Sequence, residues 1–370
     1  MKKIGVGIIG ASSLHPGWAV AAHIPALRSL PQYELRAVST SRRDSADAAR
    51  DAFQVAAYDN HKDLINDPKA DLVVVSVKVT NHSELISDAL AAGKMVFSEW
   101  PLGVSLSESF DLEAKATKAG VRTLIGLQGR FSPEVQHARD LIAQGYIGEI
   151  LSTTLVGSGM SWGGATPRSS AYLFDEANGA TPLTVPMLHA LDTIAAILGE
   201  FKTVSLASAV RRKTVRVVDD NTKLPVTTPD QVSFNGVLES GGLVSVFYRG
   251  GLTRGDNFFF QINGSDGDLI FQSAIGNVQV ADLRLQGGSG TEAGIADLTV
   301  PDDLKSKFPN IPTGLASNVA RLYAQFALDI EHGTQIAPDF SHAVRRHKLI
   351  MQLQKSARSG HVVECEELDR

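Results

Sequence analysis

Hydrophobic positions in the first 125 residues change period repeatedly. Short apolar runs, "KIGVGIIG" (3–10), "YELRAVST" (33–40), "ADLVVVSV" (70–77), "KMVFSEW" (94–100) and "VRTLIGLQG" (121–129), predict strands. Between them "AVAAHIPALRSL" (19–30), "SADAARDAF" (45–53), "HSELISDALAAG" (82–93) and "SLSESFDLEAKATKAG" (105–120) carry helical spacing. The last of these has a serine start and a glycine stop. The β-branched run at 70–77 lacks polar alternation, as a strand buried on both faces of a parallel sheet does. Repeated strand–helix–strand units predict an α/β fold, a doubly wound Rossmann domain over residues 1–129.

After residue 130 the texture changes. "SPEVQHARDLIAQGYIGEI" (132–150) predicts a helix that turns into a strand. Runs at 151–159, 203–212, 230–251, 257–273 and 277–286, with hairpin turns "ESGG" and "GSDGD", predict a large open antiparallel sheet. This gives a C-terminal α+β domain over 130–338, the site of substrate binding and oligomerisation. "KLPVTTPD" (223–230) reads as a loop, and the glycine-rich 157–174 as a mobile loop. One broad sheet face is expected to stay uncovered, which predicts a homodimer or higher homo-oligomer. A last helix at 339–360 is expected to pack back on the first domain, as part of a third segment over 339–370.

Composition narrows the class. A chain of 370 residues exceeds what one core usually serves. The formal net charge is −5 with no basic tract, so direct nucleic-acid binding is not expected. The single cysteine, Cys365, allows neither an internal disulfide nor a cysteine zinc site. No apolar run approaches the ~20 residues of a membrane span, and "MKKIGVGIIG" reads as a strand rather than a leader. A cytoplasmic protein without membrane contact is expected. The ten histidines are scattered and none pairs at metal-ligand spacing, so no metal site is expected.

Candidate chemistry begins at the first strand–helix turn, Gly10-Ala11-Ser12-Ser13-Leu14-His15-Pro16-Gly17-Trp18. A glycine turn ahead of a helix N-terminus holds a dinucleotide pyrophosphate. Gly10 fits the first glycine of such a motif, and Ser12 stands at the second; Ser13, Gly17 and Trp18 complete the candidate turn. The second strand ends "VSTSRR" without the acid that binds an NAD ribose. Ser39, Thr40, Ser41, Arg42 and Arg43 suit a 2′-phosphate instead, which favours NADP(H) over NAD(H).

Several motifs together resemble the glucose–fructose oxidoreductase / inositol dehydrogenase / rhizopine-catabolism (Gfo/Idh/MocA) family. They are Asp71 and its β run, His82-x-Glu84, "ALAAGKMVFSE" (89–99) with Pro101, "GYIGEI" (145–150), His189-x-x-Asp192, and "INGSDGDLIF" (262–271). The resemblance implies a nicotinamide cofactor and an oxidoreductase acting on a sugar, polyol or related carbonyl. The family's Glu-Lys-Pro reads Glu99-Trp100-Pro101 here. Its aspartate, four residues before His189, is Val185, and its Thr-Pro-Asn segment reads Val77-Lys78-Val79. Tryptophan has one N–H donor and no titratable proton, so it cannot replace the lysine in proton transfer. "GWAVAAHIPAL" (17–27), "EWPL" (99–102) and "LQGRFSPEV" (127–135) resemble a subgroup typified by the yeast galactose-regulon repressor, which implies a dinucleotide-binding regulator with a protein partner.

Two functions therefore stand side by side: an oxidoreductase with altered catalytic groups, and a non-catalytic regulator. For the first, His189 is the general acid/base, Lys78 offers the missing cation from a neighbouring strand end, and Trp100 is a stacking platform. Val77, His82, Glu99, Pro101 and Gln128 are expected near the cofactor. Arg130 and Tyr172 are expected on the substrate side or as struts.

Overall fold

The structure, a computed structural model, describes residues 2–365. The chain forms two compact units, residues 1–128 with 308–347 and residues 129–307 with 348–370.

The first unit opens with β1 (Ile4–Ile9), α1 (Ile24–Ser29), β2 (Tyr33–Ser39), α2 (Arg43–Phe53), β3 (Ala56–Tyr58) and α3 (His61–Ile65). It continues with β4 (Leu72–Val75), α4 (His82–Ala91), β5 (Met95–Ser98), α5 (Leu106–Ala119) and β6 (Thr123–Ile125). The strands form one parallel sheet in the order β3-β2-β1-β4-β5-β6. All of β1 and β4 is buried, which explains why these runs lack alternation. The caps of α5 follow the sequence: Ser105 Oγ accepts from the Glu108 amide, and Gly120 closes the helix at φ 64°.

In the second unit, α6 (Pro133–Ala143), β7 (Ile150–Gly159), β8 (Ala165–Thr166) and α7 (Leu188–Leu198) lead into β9 (Phe201–Ala209), β10 (Thr214–Val217) and β11 (Lys223–Pro225). Then come β12 (Gln231–Leu238), β13 (Leu243–Gly250), β14 (Phe258–Gly264), β15 (Gly267–Ser273), β16 (Arg284–Ser289) and β17 (Ala296–Asp297). After α8 (Asp302–Ser306), the chain rejoins the first unit through α9 (Ser317–His332) and α10 (Phe340–Ser359), and β18 (Val363–Glu364) adds to the large sheet. That sheet has nine strands in the order β17-β16-β15-β14-β7-β13-β12-β9-β18. Phe234, Phe258, Phe260 and Phe271 fill its covered side. Its other face alternates in small polar residues such as Thr154, Ser233, Asn235 and Ser245, with Leu243 and Phe247 exposed.

Several expectations need correction. The large sheet is not wholly antiparallel, because β13 runs parallel to β7. Lys223–Pro225 is a strand paired with β10 rather than a loop; its proline sits on an edge, where no ladder donor is needed. The 157–174 excursion is built from the end of β7, β8 and a 3₁₀ turn at Arg168–Phe174. Glu176–Leu198 is, by length and composition, apolar enough to cross a membrane, contrary to the sequence reading; most of its apolar window is buried inside the protein. The return to the first unit starts at Phe308, not at 339, and α10 divides between the units after His347.

The returning segment covers an open edge. The Ile125 amide donates to Pro338 O at 2.8 Å, and the Phe340 amide to Thr123 Oγ1 at 3.2 Å, so β6 is not left as a bare edge. Asp329, fully buried, ties this segment down. Its Oδ2 accepts from the Ile336 and Ala337 amides at 3.0 and 2.7 Å, and its Oδ1 from Thr334 Oγ1 at 2.7 Å. Removing that carboxylate strands the buried Ala337 amide and the buried Gln325 side-chain amide, which donates to Oδ1 at 3.1 Å. Asp329→Ala should destabilise the first unit by roughly 2–4 kcal/mol, with the urea midpoint lowered and the tryptophan spectrum of the native state retained.

Candidate nucleotide site and strand-end chemistry

The site begins where β1 ends. Gly10 adopts φ +101°, and a Cβ there would lie 2.3 Å from Ser76 O and 2.7 Å from Val77 Cγ1. Only glycine fits, because the β1 turn and the end of β4 touch through backbone. After the turn, the chain enters a π-helical turn at Ala19–His23 and then α1.

A cavity of about 510 Å³ lies at the C-terminal ends of β1 and β2. Gly10, Ser12 and His15 line it from the turn, and Val77, Asn81, Glu84 and Leu85 from the end of β4 and α4. Ser39, Thr40, Ser41, Arg42 and Ser45 form its β2 wall, with Asn60 and His61 beyond. Among the predicted residues, Gly10, Ser12, Ser41, Arg42 and Val77 therefore come together. Ser13, Gly17 and Trp18 lie outside the lining. Arg43 does too, because α2 starts at this residue and its side chain meets Asp47 at 3.2 Å on the outer face. Sequence reasoning missed His15, Asn60, His61, Asn81, Glu84 and Leu85; the lining of Asn60 and His61 depends on the short α3, which left no periodic signal.

Polar groups on the β2 wall are arranged but not used up. Ser45 Oγ donates to Thr40 Oγ1 at 2.8 Å, and Arg42 meets Asp44 only at 3.4 Å, both side chains being mostly exposed. The N-terminal amides of α2 begin here without a side-chain cap. Trp18 Nε1 and Gln128 Oε1 are buried without a hydrogen-bond partner among the described residues. Buried orphans of this kind are ordinarily satisfied by a ligand or water. The glycine turn, whose φ +101° and close contacts leave no room for a Cβ, and the hydroxyl-rich wall fit a dinucleotide.

His82 proves to be a tie rather than a ligand-facing group. It is buried, with Nε2 at 3.2 Å from Val77 O and Nδ1 at 3.4 Å from Ser98 Oγ, and burial pushes its pKa below the ordinary histidine value. It holds the end of β4 to the end of β5.

Beyond β5, Glu99 Oε1 lies 2.8 Å from His23 Nε2, and Tyr323 Oη lies 2.8 Å from His23 Nδ1. The next residue, Trp100, is 5% exposed and packs on His347 with ring centroids 4.8 Å apart; Pro101 follows through a cis peptide bond. The residue after Glu99 is thus an indole largely withdrawn from solvent. Lys78 is exposed three residues past β4, at the end of the sheet expected for it, and does not line the cavity.

In the second unit, His189 is buried on α7. On the same helix Asp192, 2% exposed, pairs with Arg130 at 3.3 Å, so Arg130 is anchored within this unit as a strut. Tyr172 is partly buried, and burial raises its phenol above the ordinary value. Although no sequence spacing suggested it, His61, Glu84 and Asp88 bring their ligand atoms within 4.8 Å of one another, with His61 Nε2 2.9 Å from Asp88 Oδ2.

Residues 4–127 match the family described as an oxidoreductase family with an NAD-binding Rossmann fold, and residues 133–273 match the Gal80p C-terminal domain. The galactose/lactose metabolism regulatory protein of Saccharomyces cerevisiae is 28% identical over 78% of this chain and 71% of its own length. A dehydrogenase of Aspergillus oryzae is 29% identical over 97% of both chains. Among solved structures, a super-repressor mutant of S. cerevisiae Gal80p superposes with a TM-score of 0.89 at 24% identity, covering 100% of this chain and 99% of that one. Levoglucosan dehydrogenase in complex with NADH and L-sorbose gives 0.85 at 19% identity, covering 100% of both. At these identities the superpositions show a shared fold.

The histidine packed on Trp100 has a measurable consequence. Burial pushes His347 down to about 4, whereas an unfolded histidine titrates near 6.5. Between those values the unfolded chain binds more protons than the native one, so stability falls as pH is lowered through this window. The whole window is worth roughly 3 kcal/mol. Denaturation midpoints measured against pH should show this limb, and His347→Leu should flatten it, leaving the slope of the same sign that His82 and His137 contribute.

Proposed function

We propose that this chain, whose residues 4–127 match an oxidoreductase family with an NAD-binding Rossmann fold and whose residues 133–273 match the Gal80p C-terminal domain, is an NADP(H)-dependent oxidoreductase acting on a sugar, polyol or related carbonyl compound. The observation that carries the nucleotide part is the β2 wall of the cavity. Ser39, Thr40, Ser41, Arg42 and Ser45 gather there beside the start of α2, and none of them is acidic. Hydroxyl donors, helix amides and a guanidinium suit a 2′-phosphate. Gly10 and Ser12 would lie along the pyrophosphate.

When bound, the nicotinamide supplies a hydride acceptor or donor. The chain's own task is then to hold and move one proton on the substrate oxygen. His189 is the group assigned to that proton. Lys78 is assigned the positive charge that Trp100 lacks, since an indole neither titrates nor carries charge. Trp100 serves as a wall rather than an acid. Support for an enzyme comes from coverage: the A. oryzae dehydrogenase aligns over 97% of both chains, the yeast regulator over 71% of its own length. A cytoplasmic location and a homodimer through the exposed face of the nine-stranded sheet belong to the same reading.

The burial of Trp100 favours a second reading, a dinucleotide-binding regulator that does not turn over and engages a protein partner. One experiment separates the two. Purified protein is mixed with NADP⁺ or NAD⁺ and a library of sugars, sugar acids and polyols, and the reduced-nicotinamide absorbance is followed. A substrate-dependent rise supports the oxidoreductase; bound cofactor that stays silent across the library, in both directions, supports the regulator. In either case Arg42→Ala should weaken NADPH binding about tenfold and NADH binding by less than twofold. Equal losses for both would refute the 2′-phosphate assignment.

A further inference from the structure

A buried hydrogen-bond chain in the first unit joins three segments: the π turn after the glycine loop, the end of β5, and α9. Its centre is His23, which is wholly buried. Tyr323 Oη lies 2.8 Å from Nδ1, and Glu99 Oε1 lies 2.8 Å from Nε2. The bonding pattern fixes where the protons sit. Burial, then the neighbouring Tyr33 and Glu99, raise the Tyr323 phenol well above its ordinary value, so it remains a proton donor. Donation from Tyr323 to Nδ1 leaves the ring proton on Nε2, which donates to Glu99. The chain runs in one direction, from phenol through imidazole to carboxylate.

The imidazole cannot turn away from this task. Phe97 meets it edge-on with centroids 5.0 Å apart, and Tyr323 at 5.8 Å. Tyr33 Oη donates to Tyr323 O at 2.7 Å, fixing α9 behind the phenol. One oxygen of Glu99 is therefore committed. The carboxyl group as a whole lies over Gly126, where a Cβ would come within 2.9–3.0 Å of both oxygens and the carboxyl carbon, so that position has no room for a side chain. The Glu99 side chain keeps 16% exposure, so it reaches solvent from a buried mount. It stands at the end of β5, across the switch between β1 and β4 from the β2 wall, which in this fold is the nicotinamide half of a dinucleotide site.

We propose that His23 is a positioning residue that holds Glu99 with its free oxygen presented to a hydroxyl or amide donor on the nicotinamide half of the bound dinucleotide. The proposal rests on the dinucleotide reading above. It assigns His23 no direct contact with ligand. Its consequence is a defect confined to one half of the cofactor, which general loss of structure does not produce.

The test compares NADPH with 2′-phospho-ADP-ribose, a fragment that lacks the nicotinamide. Affinities are measured calorimetrically for wild type, His23→Leu, His23→Gln and Tyr323→Phe, with thermal midpoints alongside. His23→Leu should weaken NADPH about tenfold and leave the fragment unchanged. His23→Gln, whose amide can still donate to Glu99, should recover most of the loss. Tyr323→Phe, which removes one hydroxyl and keeps the packing, should shift the same ratio about threefold, and it carries the test if His23→Leu does not fold. Equal weakening of both ligands, no change in either, or a glutamine variant as weak as the leucine variant would overturn the proposal. A wild-type protein that binds neither these ligands nor NADH and ADP-ribose would overturn the dinucleotide reading and this one with it; a wild-type protein that binds either pair keeps the reading intact whatever the variants do.

Discussion

The backbone of the first turn and the backbone at the end of β4 approach so closely that no side chain fits between them. A Cβ on Gly10 would lie 2.3 Å from Ser76 O. That contact lets β1 sit between β2 and β4 while the chain leaves the two strands in opposite directions. The crevice this creates is the cavity, and its wall chemistry follows from which residues end the neighbouring strands. Hydroxyls and Arg42 end β2, Val77 follows β4, and Glu99 follows β5. Strand ends thus place these groups, and the starts of α2, α3 and α4 complete the cavity wall.

Beside this frame stands a buried aromatic pair. Trp100 and His347 lie ring to ring, both nearly excluded from solvent. A lysine at position 100 would have to leave its ammonium beside a buried imidazole, at a desolvation cost the present pair avoids. The neighbouring Glu99 keeps its own mount through His23 and does not depend on a cation at position 100. The strand end therefore carries an acid of defined orientation beside an uncharged ring, and the oxidoreductase and regulator readings differ in whether another group supplies a charge there.

Much of this was legible in local sequence. Strands buried on both faces announce themselves by unbroken apolar runs, and Ser105 and Gly120 mark the ends of α5 because caps act within one turn. β3 and α3, with three and five residues, are too short to show a period, and with them went Asn60 and His61 of the cavity. Arg42 and Arg43 look equivalent in the sequence, yet the helix starts between them and sends the second to Asp47. The parallel pairing of β13 with β7 has no local signal, since partner choice is decided by the sheet. His23 was visible inside "AAHIPAL", but its partners Glu99 and Tyr323 lie 76 and 300 residues away, and only the tertiary fold brings them together.

The cover over β6 has an implication for how the chain is made. Thr123 waits for Phe340, 217 residues further on, before its hydroxyl finds that amide. At a synthesis rate of roughly 5–20 residues per second, the edge of the parallel sheet stands open for about 10–40 s while residues 129–307 of the second unit are being translated. The first unit is a bracket whose closing half is encoded after everything it encloses. Its nucleotide-binding form is consequently a product of the nearly finished chain, and the interval before closure is the period in which a nascent copy offers β6 to other strands.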